Sequence, residues 1–384
     1  MSMPCGAKKF FAAICFGFLI ILCQTLTARA LETETDDAAL MQQLYSDSGA
    51  DRLEGALPDY AAGLLDDLGL DGFYPGGVDN VTLGSITAVL RGVISENLRE
   101  PLRVLCCLVG IVILSAALDA VKSGGAADGA LTVVSTLCAV SIIAPPILEL
   151  TGDLAGTIEA SSDFMLLYVP VISGLMIASG SAAGGSMYCG VMVFVAAAVT
   201  RITSQLVLPL LKCVMSLSVV ASSCEKVRFD GVVELFRKAA RFILTFCMSL
   251  FVAFLTMRSI VSAAADSLAN RAVKFAVSSF VPLVGGALSD AYQTVISCVT
   301  VLKSGVGAAA IAAVFVIFVP VAVRCALWQA VTSVGAALCG LFDLGRVSSL
   351  LSSLSSVVSV VLAVLLCTMV IYIISTAIVI IVGG

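Results

Sequence analysis

The 384-residue chain is 60% hydrophobic and only 12% charged, with a mean hydropathy of +1.10. A soluble domain averages about 25% charged residues, so this chain lacks the polar surface that a compact body needs in water. Because it contains no histidine, zinc sites built on imidazole and Ser-His-Asp triads are excluded. The net charge of −5 also offers no concentrated basic face for nucleic acid. We therefore expect an integral membrane protein without a nucleic-acid partner.

The N-terminus has the pattern of a secretory signal. Lys8 and Lys9 precede an apolar run over residues 10–23, and Ala28-Arg29-Ala30 supplies small residues at the two positions that a signal peptidase reads. These features predict a signal peptide over residues 1–30. An uncleaved membrane anchor is the alternative.

Residues 31–101 form the only extended hydrophilic region, and we expect this region to be exported. Residues 31–100 contain 14 acids and three bases, a net charge of −11. Apolar residues recur at helical spacing between Leu53 and Leu68 and again between Val81 and Leu98. The spacing predicts a small helical segment that packs on the membrane domain or on a partner.

The rest of the chain, residues 102–384, is predicted to be a multi-span transmembrane helical bundle. Its apolar runs are long enough to cross the ~30 Å hydrocarbon core. The predicted spans are 102–118, 131–150, 164–180, 187–200, 205–221, 239–257, 305–326 and 356–382. The pair 187–200 and 205–221 forms either a tight hairpin or one bent element. Residues 275–301 favour a broken or re-entrant helix.

The charged loops predict an orientation. If residues 31–101 are exported, alternation of the spans places the loop 222–241 in the cytoplasm. That loop contains Lys226, Arg228, Arg237, Lys238 and Arg241, in agreement with the positive-inside rule. The acids between residues 153 and 163 are then expected in an external link.

Charges inside apolar runs are the candidate functional groups, because an uncompensated charge there costs at least ~2.5–3.5 kcal/mol. The candidate buried charges are Glu149, Lys212 and Arg324. Each either reaches the membrane interface or forms an ion pair, with Glu149 and Asp290 as candidate acids for the two bases. The Ser-rich stretch 347–360 indicates close helix packing with interhelical hydrogen bonds, or else the wall of a polar conduit.

Catalytic signatures are missing from the sequence. There is no GxxxxGK[ST] phosphate loop and no GxSxG. We therefore predict no catalytic residues, no cofactor and no metal site. An intramembrane aspartic protease remains as a remote alternative, with Asp119, Asp163, Asp266 and Asp290 as its candidate acids.

The most distinctive stretch is 274–291, which reads Lys-Phe-Ala, then Phe-Val-Pro-Leu-Val-Gly-Gly-Ala-Leu-Ser-Asp-Ala from residue 280. Pro282 removes a backbone donor, and Gly285 and Gly286 relax the chain, so a helix break is expected. Freed carbonyls and Asp290 would then line a hydrated path or a docking surface. A kinked helix in a crowded bundle is the alternative.

This stretch, with the signal, the acidic exported segment and the many spans, resembles the stage III sporulation protein AE family of endospore-forming bacteria. The resemblance implies a multi-pass protein of the mother-cell membrane facing the forespore. It also implies membership of a channel or feeding-tube complex that supports late forespore development, with a permease-like or scaffolding role. The implied partners are the other stage III A proteins, including a separate ATPase subunit, and indirectly the forespore-side stage II protein Q. Self-association is a further expectation.

One other class of function fits the same residues. A self-contained secondary transporter would bind a small solute or ion at broken helices near 164–174 and 275–290.

Overall fold

The computed structural model describes residues 35–70, 72–74, 81–120, 127–223, 285–342 and 344–382, together with isolated helical positions between 231 and 253. The predicted signal peptide lies outside the described residues, as does most of the predicted span 239–257.

The described residues fold into helices and contain no strand, which confirms the all-α prediction. The acidic segment forms α1 (Thr35–Ser48), a 3₁₀ turn (Ala50–Ala56) and α2 (Asp59–Asp67). The long helices are α3 (Leu83–Ala120), α4 (Ala127–Ala178), α5 (Ala182–Ile202), α6 (Leu208–Ser223), α7 (Gly285–Leu341) and α8 (Gly345–Val382). Because α5 and α6 form one rod, five described helices are long and apolar enough to cross a membrane.

The prediction of separate spans at 131–150 and 164–180 is wrong, because α4 runs without interruption through both. The acids that were expected in an external link lie on this helix. Pro145, Pro146 and Pro170 do not end it, since neighbouring helices support a proline inside a bundle. The helix stops at Gly180, whose φ of 92° is the left-handed conformation that glycine adopts without strain.

The spans 187–200 and 205–221 form the bent element and not the hairpin. A π-helical turn at Thr203–Val207 joins α5 to α6. It precedes Pro209, which has no amide to donate to the carbonyl of Gln205. The widened turn therefore accommodates the proline without breaking the rod.

The last two predicted spans are parts of longer helices. Residues 305–326 lie in the 57-residue helix α7, which is about 86 Å long, and 356–382 lie in the 38-residue α8. No break occurs between 285 and 301. Residues 274–284 are outside the described part, so a re-entrant element at Pro282 stays a prediction.

Long helices that follow one another in the chain are antiparallel, except that α7 runs in the same direction as the α5–α6 rod. A turn at Ser179–Ser181 joins α4 to α5, at what we call the upper end, and residues 342–344 join α7 to α8 at the lower end. The central pair is α7 and α8, whose buried side chains include Phe318, Trp328 and Tyr372. The predicted boundary at residue 101 lies inside α3, which continues through it without a break. A change in hydropathy therefore marks this boundary, and no change in secondary structure does.

Candidate functional site: a charged belt between two apolar collars

Charged residues of the outer helices gather at one level, which we call the charged belt. On α4 they are Glu149, Asp153, Glu159 and Asp163, within about 21 Å of helix. On α3 they extend from Arg91 to Arg103. The Ser115 hydroxyl lies 2.7 Å from that of Ser135 on α4. Arg91 lies 24 residues before Ser115 on α3, and Glu159 lies 24 residues after Ser135 on the antiparallel α4. Arg91 and Glu159 are therefore at the same height, so the charged stretches of the two helices lie side by side.

The belt continues onto the α5–α6 rod and α7. The Ser173 hydroxyl on α4 donates to the Gly185 carbonyl on α5, at 2.8 Å. Counting down both helices from this contact places Arg201 level with Thr157 and Lys212 near Pro146. Arg201 and Lys212 are both exposed. On α7 the belt contributes Arg324.

Arg324 holds three helices together within the belt. Its Nη1 donates to Asp153 Oδ2 at 2.6 Å, and its Nη2 lies 3.2 Å from Glu149 Oε2 and 3.3 Å from Glu100 Oε2. The Arg324 side chain is 23% exposed, whereas those of Asp153 and Glu149 are 31% and 61% exposed. The belt therefore presents carboxylates to water while the guanidinium sits against the bundle.

Below the belt lies the lower collar, which we define as residues 104–118 of α3, 129–148 of α4, 213–223 of α6 and 325–341 of α7. None of these residues is charged. The α4 part is about 30 Å long, which matches the hydrocarbon core of a bilayer. Large apolar side chains face outward from it: Ile113, Leu114, Val134 and Leu137 are all about half exposed or more.

Above the belt lies the upper collar, residues 164–178 of α4 and 182–200 of α5. It is also uncharged, and its α5 part is about 29 Å long. Its outward side chains include Leu166, Leu167, Ile177, Val193 and Phe194, the last 71% exposed. The bundle therefore has two apolar collars, and the longest uncharged stretch of each is about as long as one bilayer is thick.

The acidic segment, which we call the head (residues 35–74), packs at the upper edge of the belt. The Phe73 ring lies 5.9 Å from that of Phe164 on α4, and the Tyr60 hydroxyl donates to the Ile317 carbonyl on α7 at 3.2 Å. Burial raises the pKa of the Tyr60 hydroxyl, so it keeps its proton at neutral pH. Six acids face solvent on the head: Asp47, Asp51, Glu54, Asp59, Asp66 and Asp67.

The Ser-rich stretch contributes interhelical hydrogen bonds, one of the two interpretations of its sequence. Gln329 Nε2 on α7 donates to the Ser355 hydroxyl at 2.6 Å, and the Ser359 hydroxyl donates to Gln329 Oε1 at 3.0 Å. The Ser348 hydroxyl donates to the Ala336 carbonyl at 3.0 Å. These bonds fix the register of α7 against α8.

A fully buried lysine lies in the upper half, and sequence reasoning missed it. Lys303 on α7 is 0% exposed. It is one helical turn from Gly307, where an added Cβ would lie 3.8 Å from the Tyr168 hydroxyl. Lys303 ends an uncharged run that Arg324 ends on the other side. Those 20 uncharged residues, 304–323, are the signal that could have identified it.

The predicted site residues occupy different places. Glu149 and Arg324 are brought together, whereas Asp290 lies 34 residues from Arg324 on the same helix, about 51 Å away, so these two cannot pair. Lys212 is exposed on the outer face of α6, because its neighbours Leu211 and Val214 face the bundle. Within this chain, therefore, only Arg324 of the three candidate buried charges is largely buried.

The predicted functional membrane region is only partly described. Gly285 and Gly286 are the first residues of α7, and Asp290 lies in its second turn. Pro282 lies outside the described residues, so a hydrated path or docking surface at this place stays a prediction. Sequence reasoning did not identify Glu100 and Asp153 as partners of Arg324.

Comparison with known proteins identifies a family but not a structural template. The sequence model described as Stage III sporulation protein AE matches residues 73–383. Stage III sporulation protein AE of Bacillus subtilis (strain 168) is 27% identical over 150 residues, which cover 39% of this chain and 38% of that relative. No solved structure matches. Because the family match covers most of the chain, including the belt, both collars and the central helices, the protein belongs to the stage III sporulation protein AE family.

Proposed function

We propose that this protein is a scaffolding subunit of a membrane channel complex that links mother cell and forespore. Family membership supports a sporulation-related membrane protein. The observation that carries the finer proposal is the pair of apolar collars separated by the charged belt. A helix of about 86 Å is more than twice as long as the hydrocarbon core is thick, so much of this bundle lies beyond one bilayer.

The charges favour the lower collar as the part within the bilayer. Lys122 lies between α3 and α4, Arg346 begins α8, and the basic loop 222–241 follows α6. The described helix ends beside these charges lie at the lower end, so the positive-inside rule favours the cytoplasm for that end. Five predicted spans before the basic loop become three long helices, α3, α4 and the α5–α6 rod. Both numbers are odd, so the expected orientation of the loop is unchanged. The belt and head would then be extracytoplasmic, on the side of the mother-cell membrane that faces the forespore.

The upper collar favours a scaffold over an isolated permease. In the exported space its leucines and Phe194 would contact water unless protein covers them, and apolar burial is worth about 25 cal/mol per Å². Contiguous apolar surface of this kind marks interaction sites. The covering partners would be other stage III A proteins or further copies of this chain, while a separate subunit supplies ATP hydrolysis. Contact with the stage II protein Q would be indirect.

One substitution pair tests this placement in a strain that lacks the gene. We expect Phe194→Asp in the upper collar to leave membrane accumulation intact but to lower spore yield and to release the partner proteins from the complex. Leu137→Asp in the lower collar should instead prevent accumulation, because Asp at the bilayer centre costs about 2.5–3.5 kcal/mol. Equal loss of accumulation in both variants would place the upper collar in lipid. Full spore yield in the deletion strain itself would refute the sporulation role.

The secondary transporter has one observation in its favour and one against it. Buried Lys303 has the character of a coupling residue, since ionisable residues inside membrane bundles are commonly functional. However, α4 has no break near 164–174, which removes one of the two broken helices on which this alternative depends.

Lys303→Met separates the two functions, because methionine keeps the length of the lysine stem and removes its charge. A scaffold should retain more than half of the wild-type spore yield at an equal level of the protein. Loss of spore yield with an intact complex, together with solute uptake by wild-type protein alone in liposomes, would favour the transporter.

A further inference from the structure

Pro320 interrupts the hydrogen-bond ladder of α7 at the level of the charged belt. Proline has no amide proton, so the carbonyl of Val316, four residues earlier, loses its helical donor. The proline ring also crowds that carbonyl, which bends a helix and weakens the adjacent bonds. The next carbonyl along the chain is that of Ile317.

A side chain from the head reaches this weakened turn. The Tyr60 hydroxyl donates to the Ile317 carbonyl at 3.2 Å, across 257 residues of sequence. A carbonyl oxygen has two lone pairs and can accept a second hydrogen bond. The Tyr60 hydroxyl therefore adds a donor in the turn where Pro320 has removed a backbone N–H donor. The contact thus joins the head to the turn of α7 in which Pro320 removes a backbone hydrogen bond.

Neighbouring contacts fix both sides of the same turn. One turn below Pro320, Arg324 is held by Asp153, Glu149 and Glu100. On the opposite face, Phe318 packs edge-on against Tyr372 of α8, with ring centroids 6.5 Å apart. Tyr60 supplies a hydrogen bond from the head to this turn, so the head can influence the bend at Pro320 through it.

We propose that the head sets the bend of α7 at Pro320 through the Tyr60 hydroxyl, and that displacement of the head loosens this bend. Tyr60 is a positioning residue in this scheme. The upper half of α7, with Lys303 and Gly307, would then move relative to the lower collar when a partner binds the head. The inference needs only the contacts around Pro320 and does not depend on the proposed function.

Hydrogen exchange of the full-length protein in nanodiscs tests the proposal. Tyr60→Phe removes only the hydroxyl, and we expect amides in peptides spanning 317–327 to exchange about two- to ten-fold faster, the range for loss of one neutral hydrogen bond. The matched control is Tyr74→Phe, because Tyr74 packs edge-on against Tyr45 within the head at 5.7 Å. It should change exchange in this region by less than a factor of two.

A second variant tests whether the proline is required. Pro320→Ala restores the missing amide, so adding Tyr60→Phe to it should change exchange by less than two-fold. The same acceleration in both backgrounds would overturn the proposal, as would unchanged exchange in Tyr60→Phe alone.

Spin labels at exposed Thr294 and Val334 give an independent readout on the two sides of the bend. Tyr60→Phe should broaden the distance distribution between them, and Tyr74→Phe should not. A distribution that stays as narrow as in the wild type would refute the proposal.

Discussion

At the scale of residues, Arg324 is the most informative charge in the chain. Its guanidinium contacts carboxylates from two other helices. Because the guanidinium is largely buried, water cannot fully replace these carboxylates as hydrogen-bond partners. The three acids repel one another when the guanidinium is lost, but their exposure lets water and salt screen that repulsion. The ion cluster is therefore worth more than a surface pair and less than a fully buried one.

We expect Arg324→Ala to lower the free energy of unfolding by about 1–2 kcal/mol. Asp153→Asn should cost more than Glu149→Gln, because Asp153 is closer to the guanidinium and half as exposed. Unfolding in mixed micelles with increasing SDS measures these differences. The control is Arg103→Ala on the exposed face of α3, which should change stability by less than about 0.5 kcal/mol. Equal losses at positions 103 and 324 would contradict the assigned role of the cluster.

Individual charges were predictable from sequence to a limited extent. Glu149 and Arg324 could be identified because each interrupts an apolar run. Their pairing could not be identified, because it depends on the register of α4 against α7, which sequence spacing does not determine. Tyr60 carried no signal, since a tyrosine in an amphipathic helix is usually only half buried.

At the scale of elements, the number and continuity of the helices were the main errors of prediction. The acids at 153–163 predict a link between two spans, because charges usually interrupt a membrane helix. In α4 the acidic side chains instead lie at the surface of the bundle, at the belt, and the helix continues through them. Hydropathy detects apolar residues but not whether two apolar runs share one helix.

Two glycines set the close approach of the upper helices. A Cβ at Gly185 would lie 2.8 Å from the backbone oxygen of Ser173 on α4, and one at Gly307 would lie 2.7 Å from Ile380 Cγ1 on α8. Sequence reasoning could point to small residues here, but not to which of them meet another backbone. The two cases differ because a backbone atom cannot move aside, whereas an isoleucine side chain can.

We expect Gly185→Ala to destabilise the protein by about 2–3 kcal/mol through overpacking and Gly307→Ala by about 1–2 kcal/mol. Ile380→Val removes the Cδ1 methyl, 3.0 Å from the added Cβ at position 307, so it should restore part of the Gly307→Ala loss and none of the Gly185→Ala loss. The matched control is Gly190→Ala on the same helix as Gly185, because nothing lies within 4 Å of its added Cβ. Removing the glycine there should stabilise α5 slightly, by up to about 1 kcal/mol. If the three alanine variants had equal melting temperatures, the packing account would be wrong.

At the scale of the whole molecule, the structure shows an alternation that overall composition hides. The 60% hydrophobic content is distributed over two uncharged collars, and the charges of the outer helices lie mainly between them. Cysteines show a related asymmetry, since the exposed thiols of the described residues, Cys106, Cys107, Cys138 and Cys213, all lie in the lower collar. Lipid would shield them there from an oxidising exterior.

The central claim is that one bilayer surrounds the lower collar and that the belt lies outside it, on the exported side. Thiol labelling of intact cells with a membrane-impermeant maleimide tests this claim most directly. Each variant has one cysteine in a background where the native ones are serine: Glu159→Cys in the belt, Leu137→Cys in the lower collar or Arg346→Cys at the lower end. We predict rapid labelling at 159, none at 137, and labelling at 346 only after permeabilisation. Labelling at 346 in intact cells, or at 159 only after permeabilisation, would contradict the account.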